Sequence, residues 1–172
     1  MIEPEPNPKS RVVYYTASTE ADVLRLTDIA LEYHSESRYS SVPFSSEKFL
    51  RSFGRTVRSS GVLSVVAELD GVPVGLMGAK VGEYFLGSGM RIATNYIFYV
   101  SPRIRGSFVG GKVAVRLMRH FLEWSRSVGA DEANIHAVSG ITPAQTDKFL
   151  RSVGFETYGG NYALQLTGAS RE

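Results

Sequence analysis

Cysteine is absent from the 172 residues, and tryptophan occurs once. No disulfide, thiolate metal site or covalent cysteine nucleophile can therefore be built on this chain. Charge of one sign is scarce as well, since 19 Lys and Arg stand against 17 Asp and Glu for a net charge of +2. So even a balance gives no broad basic field and argues against direct nucleic-acid binding. Apolar runs fall short of the roughly 18–20 residues that a membrane-spanning helix needs, so no membrane partner is expected. Residues 1–10 hold prolines at positions 4, 6 and 8 and little apolar content, which reads as a flexible tail rather than a secretory leader. Cytoplasmic residence is the default that follows.

What is present is an ordinary globular composition, 43% hydrophobic and 21% charged. A chain of this size makes one domain, able to bury about 70% of its unfolded surface. Residues 11–166 read as that domain, and residues 167–172 as a second flexible tail. The β-forming run 11–16 predicts a strand. Thr19 reads as an N-cap with Glu20 and Asp22 in the first turn, opening a helix that carries Val23, Leu26, Ile29, Ala30 and Tyr33. Ser45 or Ser46 opens another, with Phe49, Leu50, Phe53 and Val57 on one face. Residues 63–81 predict a hairpin turning on Asp70-Gly71. A third helix of about five turns ends at Gly129. Thr142-Pro143-Ala144-Gln145 reads as a capping box before a fourth. Residues 132–138, 155–158 and 162–166 are expected strands.

The most informative stretch is Tyr96 to Lys112, YIFYVSPRIRGSFVGGK. Tyr96, Ile97, Phe98, Tyr99 and Val100 predict a buried strand that Ser101-Pro102 ends. Gly106, Gly110 and Gly111 follow among Arg103, Arg105 and Lys112, and then a helical period begins. Strand, glycine-rich basic turn and helix point backbone N–H groups at an anion, usually a phosphate. The spacing Gly106-x-x-x-x-Gly111-Lys112 matches most of a triphosphate-binding loop. Val113 stands where that loop needs a magnesium-binding hydroxyl, and no apolar strand ending in Asp completes the metal site. A dinucleotide site fits less well, because G-x-G-x-x-G is missing.

Arg105 and Gly110 take the first and last places of the Arg/Gln-x-x-Gly-x-Gly/Ala loop, with Phe108 in place of the middle glycine. With the 63–81 hairpin, the 132–138 strand and the SVGFE end of the last helix, the chain resembles the Gcn5-related N-acetyltransferase family over residues 11–166. It is most similar to bacteriophage and prophage members. Arg105-Gly106, Trp124-Ser125, Gly129-Ala130 and Ser139-Gly140-Ile141 carry that likeness.

The resemblance implies an α/β fold, a mixed and mostly antiparallel twisted sheet of about six or seven strands flanked by about four helices. It implies transfer of an acetyl group from acetyl-CoA to a primary amine, with acetyl-CoA as cosubstrate, and homodimers are common in the family. Backbone groups of Phe98, Tyr99 and Val100 would hold the pantetheine arm. Arg103, Arg105, Gly106, Ser107, Phe108, Val109, Gly110, Gly111 and Lys112 would hold the phosphates. Gly110→Glu is then expected to fill the phosphate site and keep the fold.

The acid and base are less legible. Leu150 stands near the family's usual tyrosine, and Asn95 near its usual strand acid, and neither can transfer a proton at neutral pH. Ser139, Tyr158 and Tyr162 are the substitute acids, and Glu83 is the candidate base acting through water. His34, Glu36 and Tyr39 lie between the first helices, where the family forms its acceptor cleft. His34 offers an imidazole and Glu36 a carboxylate to a cationic amine. His136 is expected to be packed mid-strand. The histidines lack metal-ligand spacing, so no metal is expected. Two other classes stand beside the enzyme: a CoA-binding module without turnover, and a nucleic-acid-associated protein.

Overall fold

Asp70 and Gly71 both take positive φ, 51° and 85°, the backbone that a two-residue hairpin turn needs to match strand twist. They join β2 (Val62–Leu69) to β3 (Val72–Glu83). The computed structural model describes residues 11–137 and 140–159. The chain divides into two compact units, Met1–Ile141 and Thr142–Glu172. In the first, β1 (Val12–Thr16), β2, β3, β4 (Arg91–Val100) and β5 (Glu132–Asn134) lie side by side in sequence order. Neighbouring strands are antiparallel except β4 and β5, which run parallel. A parallel pair needs a crossover, supplied by α4 (Phe108–Ser127).

One face of the sheet carries α4, whose Val113, Leu117, Met118 and Phe121 are buried. Gly75 on β3 makes that contact possible, since a Cβ there would lie 2.9 Å from Val113 and 3.0 Å from Leu117. The other face gathers Leu26, Ile29, Val66, Leu76 and Tyr99, with Phe49, Phe53 and Ile97 packed against them. The expected first helix is two. α1 (Glu20–Arg25) ends at Leu26, whose backbone leaves the helix at φ −90°, ψ 0°, and α2 (Thr27–Glu36) restarts at once. With α3 (Ser46–Val57), this gives four helices among the described residues of the first unit.

Corrections to the expected strands follow from the same geometry. Among the described residues there are five strands and five helices rather than six or seven and four. β5 stops at Asn134, and residues 155–158 form no strand. The run 162–166 lies outside the described residues. In the second unit, α5 (Pro143–Ser152) has Pro143 in its first turn as expected. Thr142 takes φ 41° and caps nothing with its side chain, so the capping box is not formed.

Thr19 does form one. Its hydroxyl accepts from the Asp22 N–H at 3.1 Å, and the Asp22 carboxylate accepts from the Thr19 N–H at 2.9 Å. Thr19→Ala should lower stability by about 1 kcal/mol, read as a fall in the urea midpoint at unchanged slope. An unshifted midpoint would show that the cap contributes nothing.

Candidate functional site

β4 positions the site because it changes partner halfway. At its start Ile92, Ala93 and Thr94 pair with Glu132, Ala133 and Asn134 of β5. Next, Gly78 pairs with Ile97 and Ala79 with Asn95, which leaves Tyr96 as an extra residue. Such a bulge bends its strand and sharpens the local twist. Asn95, nearly buried, marks the parting: its Oδ1 accepts from the His136 N–H at 2.6 Å, and its Nδ2 donates to the His136 carbonyl at 3.4 Å. Beyond this side-chain bridge no strand among the described residues pairs with the outer edge of β4. The Ser101 N–H donates to Val74 on β3, so ladder alternation turns the backbone groups of Phe98 and Val100 toward that outer edge.

The edge leads into the turn 101–107. Gly106 takes φ 84°, with open space where a Cβ would stand. α4 starts earlier than the apolar period implies, at Phe108, with Ser107 as N-cap. Ser107 Oγ accepts from the Gly110 N–H at 3.1 Å, and its carbonyl accepts from the Gly111 N–H at 3.0 Å. Among the described residues the N–H groups of Gly106, Phe108 and Val109 have no hydrogen-bond acceptor. A helix start with free donors is suited to an anion. Lys112 stands on the exposed side of the same turn, its ammonium 4.2 Å from the centre of the Phe108 ring. Gly110 differs from its neighbours. It is buried, and a Cβ there would lie 2.1 Å from the Ile104 carbonyl oxygen. Close packing of helix on turn requires glycine at 110, so Gly110→Glu is expected to strain the turn and destabilise the fold, against what the sequence suggested.

Arg105 turns inward. Its Nη1 and Nη2 donate to the two Glu36 oxygens, each at 2.8 Å, and its Nε donates to the Val100 carbonyl at 3.0 Å. The single proton of the Tyr99 hydroxyl is shared between the carboxylates of Glu36 and, at 3.1 Å, Glu32. Arg103 Nε completes the cluster on Glu32 at 3.2 Å. The paired guanidinium, against some opposing burial and with help from the Tyr99 hydroxyl, holds the Glu36 carboxyl below the usual carboxylate range. Burial, the Glu36 acceptor and the Glu32 charge push the Tyr99 phenol far above its usual range, so it remains a neutral donor.

A carboxylate with a depressed folded pKa stabilises above its ordinary value of 4.5 and loses that contribution as pH falls through the depressed one. Glu36→Gln should therefore lower the urea midpoint at pH 7, and its gap from the wild type should close on acidification below the ordinary carboxylate range. A gap independent of pH would show that the charge contributes nothing.

The remaining candidates are distributed widely. His34 Nε2 donates to the Val42 carbonyl at 2.6 Å and its ring tilts on Phe44 at 5.6 Å, closing the loop after α2. Tyr39 is exposed, with the Arg38 guanidinium 5.3 Å from its ring centre. Glu83 pairs with Arg91, so it lies at the far end of β4 from the turn 101–107. Its carboxylate accepts from the Gly89 N–H at 2.8 Å. That contact closes the loop between β3 and β4. Tyr158 belongs to the second unit and is 85% exposed. Ser139 and Tyr162 lie outside the described residues. His136 is exposed beyond the end of β5 rather than packed mid-strand.

No protein-family model and no curated protein matches the sequence. Solved structures do match. An acetyltransferase from Trypanosoma brucei is similar with a TM-score of 0.68 at 18% identity, over 91% of this chain and 100% of that one. A protein described as a transcriptional regulator, from Bacillus halodurans, gives 0.73 at 15%, over 91% and 100%. A predicted acetyltransferase from Clostridium acetobutylicum, solved with acetyl-CoA, gives 0.67 at 14%, over 91% and 97%. The chain has an acetyltransferase fold. Within that fold the sequence reading missed Glu32, which shares the Tyr99 hydroxyl with Glu36. Spacing was the available signal, since Glu32 lies one helical turn before Glu36 on the same face. Among the described residues no helix is long and apolar enough to cross a membrane.

Proposed function

We propose that this protein is an acetyl-CoA-dependent N-acetyltransferase of the Gcn5-related family, acting on a primary amine. The amine nitrogen attacks the thioester carbonyl, the new C–N bond replaces the C–S bond, and the sulfur leaves as the CoA thiol with the proton the amine gives up. The observation that carries this reading is the continuity of the outer edge of β4 with the free N–H groups of Gly106, Phe108 and Val109. An extended arm ending in phosphates needs that combination. Backbone groups of Phe98 and the N–H of Val100 hold the arm, and the loop amides with Lys112 and Arg103 hold the phosphates. Ser139 and Tyr158 are retained as acids for the leaving thiol, and His34 and Tyr39 as acceptor-side groups. Arg105-Gly106, Trp124-Ser125 and Gly129-Ala130 support a bacteriophage-type subgroup, and a cytoplasmic, self-associating enzyme fits the family.

Calorimetric titration with acetyl-CoA should give saturable binding, and thiol release should rise when amines are added, tested with an aminoglycoside, a lysine peptide and an alanine-ended peptide. A second reading, CoA binding without turnover, is favoured by Leu150 standing where a thiol-protonating tyrosine is usual. Binding with no amine-dependent thiol release would support it. Absence of binding would overturn both.

A further inference from the structure

Arg105 is the residue the sequence most readily gives to a phosphate, yet four of its five donors are already committed. A guanidinium has five N–H groups. Two point at Glu36, and Nε and Nη2 also reach the Val100 carbonyl, at 3.0 and 2.6 Å. Its planar face lies against the Tyr99 ring, 5.3 Å from guanidinium carbon to ring centre. The fork holds Glu36, and one face of the plane is covered by Tyr99. The side chains of Arg105 and Glu36 are 24% and 27% exposed, while Arg103 is 58% exposed and makes a single bond to Glu32. A bidentate pair with further hydrogen bonds holds one geometry; the Arg103 contact is the looser of the two.

The bonds form a chain of positions. Glu36 is the last residue of α2, and the Val100 carbonyl belongs to the outer edge of β4 at its final residue. Arg105 lies between them, with Tyr99 buttressing both the carboxylate and the guanidinium. We propose that Glu36 and Arg105 are a positioning pair that fixes the end of β4 for the pantetheine arm, and that neither side chain touches the phosphates. The pair acts through the Val100 carbonyl, holding the direction in which the edge enters the turn 101–107. This inference rests on the acetyl-CoA reading and refines it: Arg103 and Lys112 are the side chains left for the anion.

The two halves of the donor separate the possibilities. Glu36→Gln, Arg105→Gln and the double variant are titrated calorimetrically with acetyl-CoA and with 3′-phosphoadenosine 5′-diphosphate, which carries the phosphates but no pantetheine. Each single variant should lose about fivefold to tenfold in acetyl-CoA affinity, roughly 1–1.4 kcal/mol. The double variant should lose no more than either single one, since residues acting as one unit are non-additive. Affinity for the nucleotide half should stay within about twofold throughout. Arg105→Lys and Glu36→Asp provide folded substitutes if a glutamine variant fails to fold, and they should behave alike, because Lys lacks the fork. A loss of nucleotide affinity in Arg105→Gln but not in Glu36→Gln would make Arg105 a phosphate contact and overturn the proposal. So would a change in melting temperature with both ligand affinities unmoved, which is what a merely structural pair gives. Failure of the wild type to bind either ligand removes the acetyl-CoA reading itself; binding by the wild type with unaffected variants removes only the positioning pair.

Discussion

Gly110→Ala should lose at least about 3 kcal/mol of stability, the upper end of what inserting one methyl into a packed site costs. Gly111→Glu, one residue on, should fold and lose at least about tenfold in acetyl-CoA affinity, roughly 1.4 kcal/mol. The contrast comes from what each position faces. A Cβ at 110 would sit 2.1 Å from the Ile104 carbonyl oxygen and 3.2 Å from the Arg105 Cα, both backbone atoms. Ile104 cannot give way cheaply, since its carbonyl also accepts from the Ser107 N–H at 3.1 Å and hydroxyl at 2.6 Å. At 111 nothing lies within 4 Å of the added carbon. A glutamate there improves on glycine as a helix former and places an acid near the helix N-terminus, so the empty protein should not be destabilised. The same charge would oppose a pyrophosphate at the amides of Phe108 and Val109. Chemical denaturation of the first variant and calorimetry of the second decide both halves. Wild-type stability in Gly110→Ala would disprove the close approach, and wild-type affinity in a folded Gly111→Glu would remove the phosphate assignment.

Local signals were legible where the chain satisfies itself locally. Asp70-Gly71, the Thr19 cap and the Gly129 helix end all depend on neighbours within a few residues, and all stand where their residue types indicate. Gly129 closes α4 with Gly129 N–H donating to Arg126 and Ala130 N–H to Ser125, a Schellman ending. The start of α4 is not legible in the sequence because Gly110 and Gly111 suggest loop, whereas the Ser107 cap and packing on Ile104 draw them into the first turn. The split between α1 and α2 has no glycine or proline to announce it. Arg105 and Glu36 lie 69 residues apart, so each looked like a free charge with its own ligand. Only the fold pairs them, and pairing changes what each can do. The run through His136 reads as a continuation of β5, but Asn95 supplies the bridge and the ladder stops two residues earlier.

Gly78 is the position where fold and site are most tightly joined, and Gly78→Ala should cost about 3 kcal/mol. Glycine inside a strand often marks a bulge or a close approach, and here it marks both. A Cβ would lie 2.3 and 2.5 Å from atoms of the Tyr96 ring and 2.8 Å from Ile97 Cγ2. The ring cannot swing aside without loss. The Tyr96 hydroxyl is 2.7 Å from Ser64 Oγ and donates to the Leu63 carbonyl at 3.1 Å, and the ring stands edge-on to Phe53 at 6.0 Å. Tyr96 is also the extra residue of the bulge between Gly78 and Ala79, beside Asn95, where β4 leaves β5. Pushing on that ring therefore disturbs the place where the outer edge opens. Tyr96→Leu removes the obstacle at the cost of a cavity, so Gly78→Ala with Tyr96→Leu should be less destabilised than the two single changes added together, by at least about 1 kcal/mol. Folded Gly78→Ala should also bind acetyl-CoA more weakly than the wild type, although it lies on β3 and offers no side chain to a ligand. Additive losses in the double variant would show that the ring is not the obstacle. Wild-type affinity in a destabilised Gly78→Ala would separate the bulge from the opening of the edge.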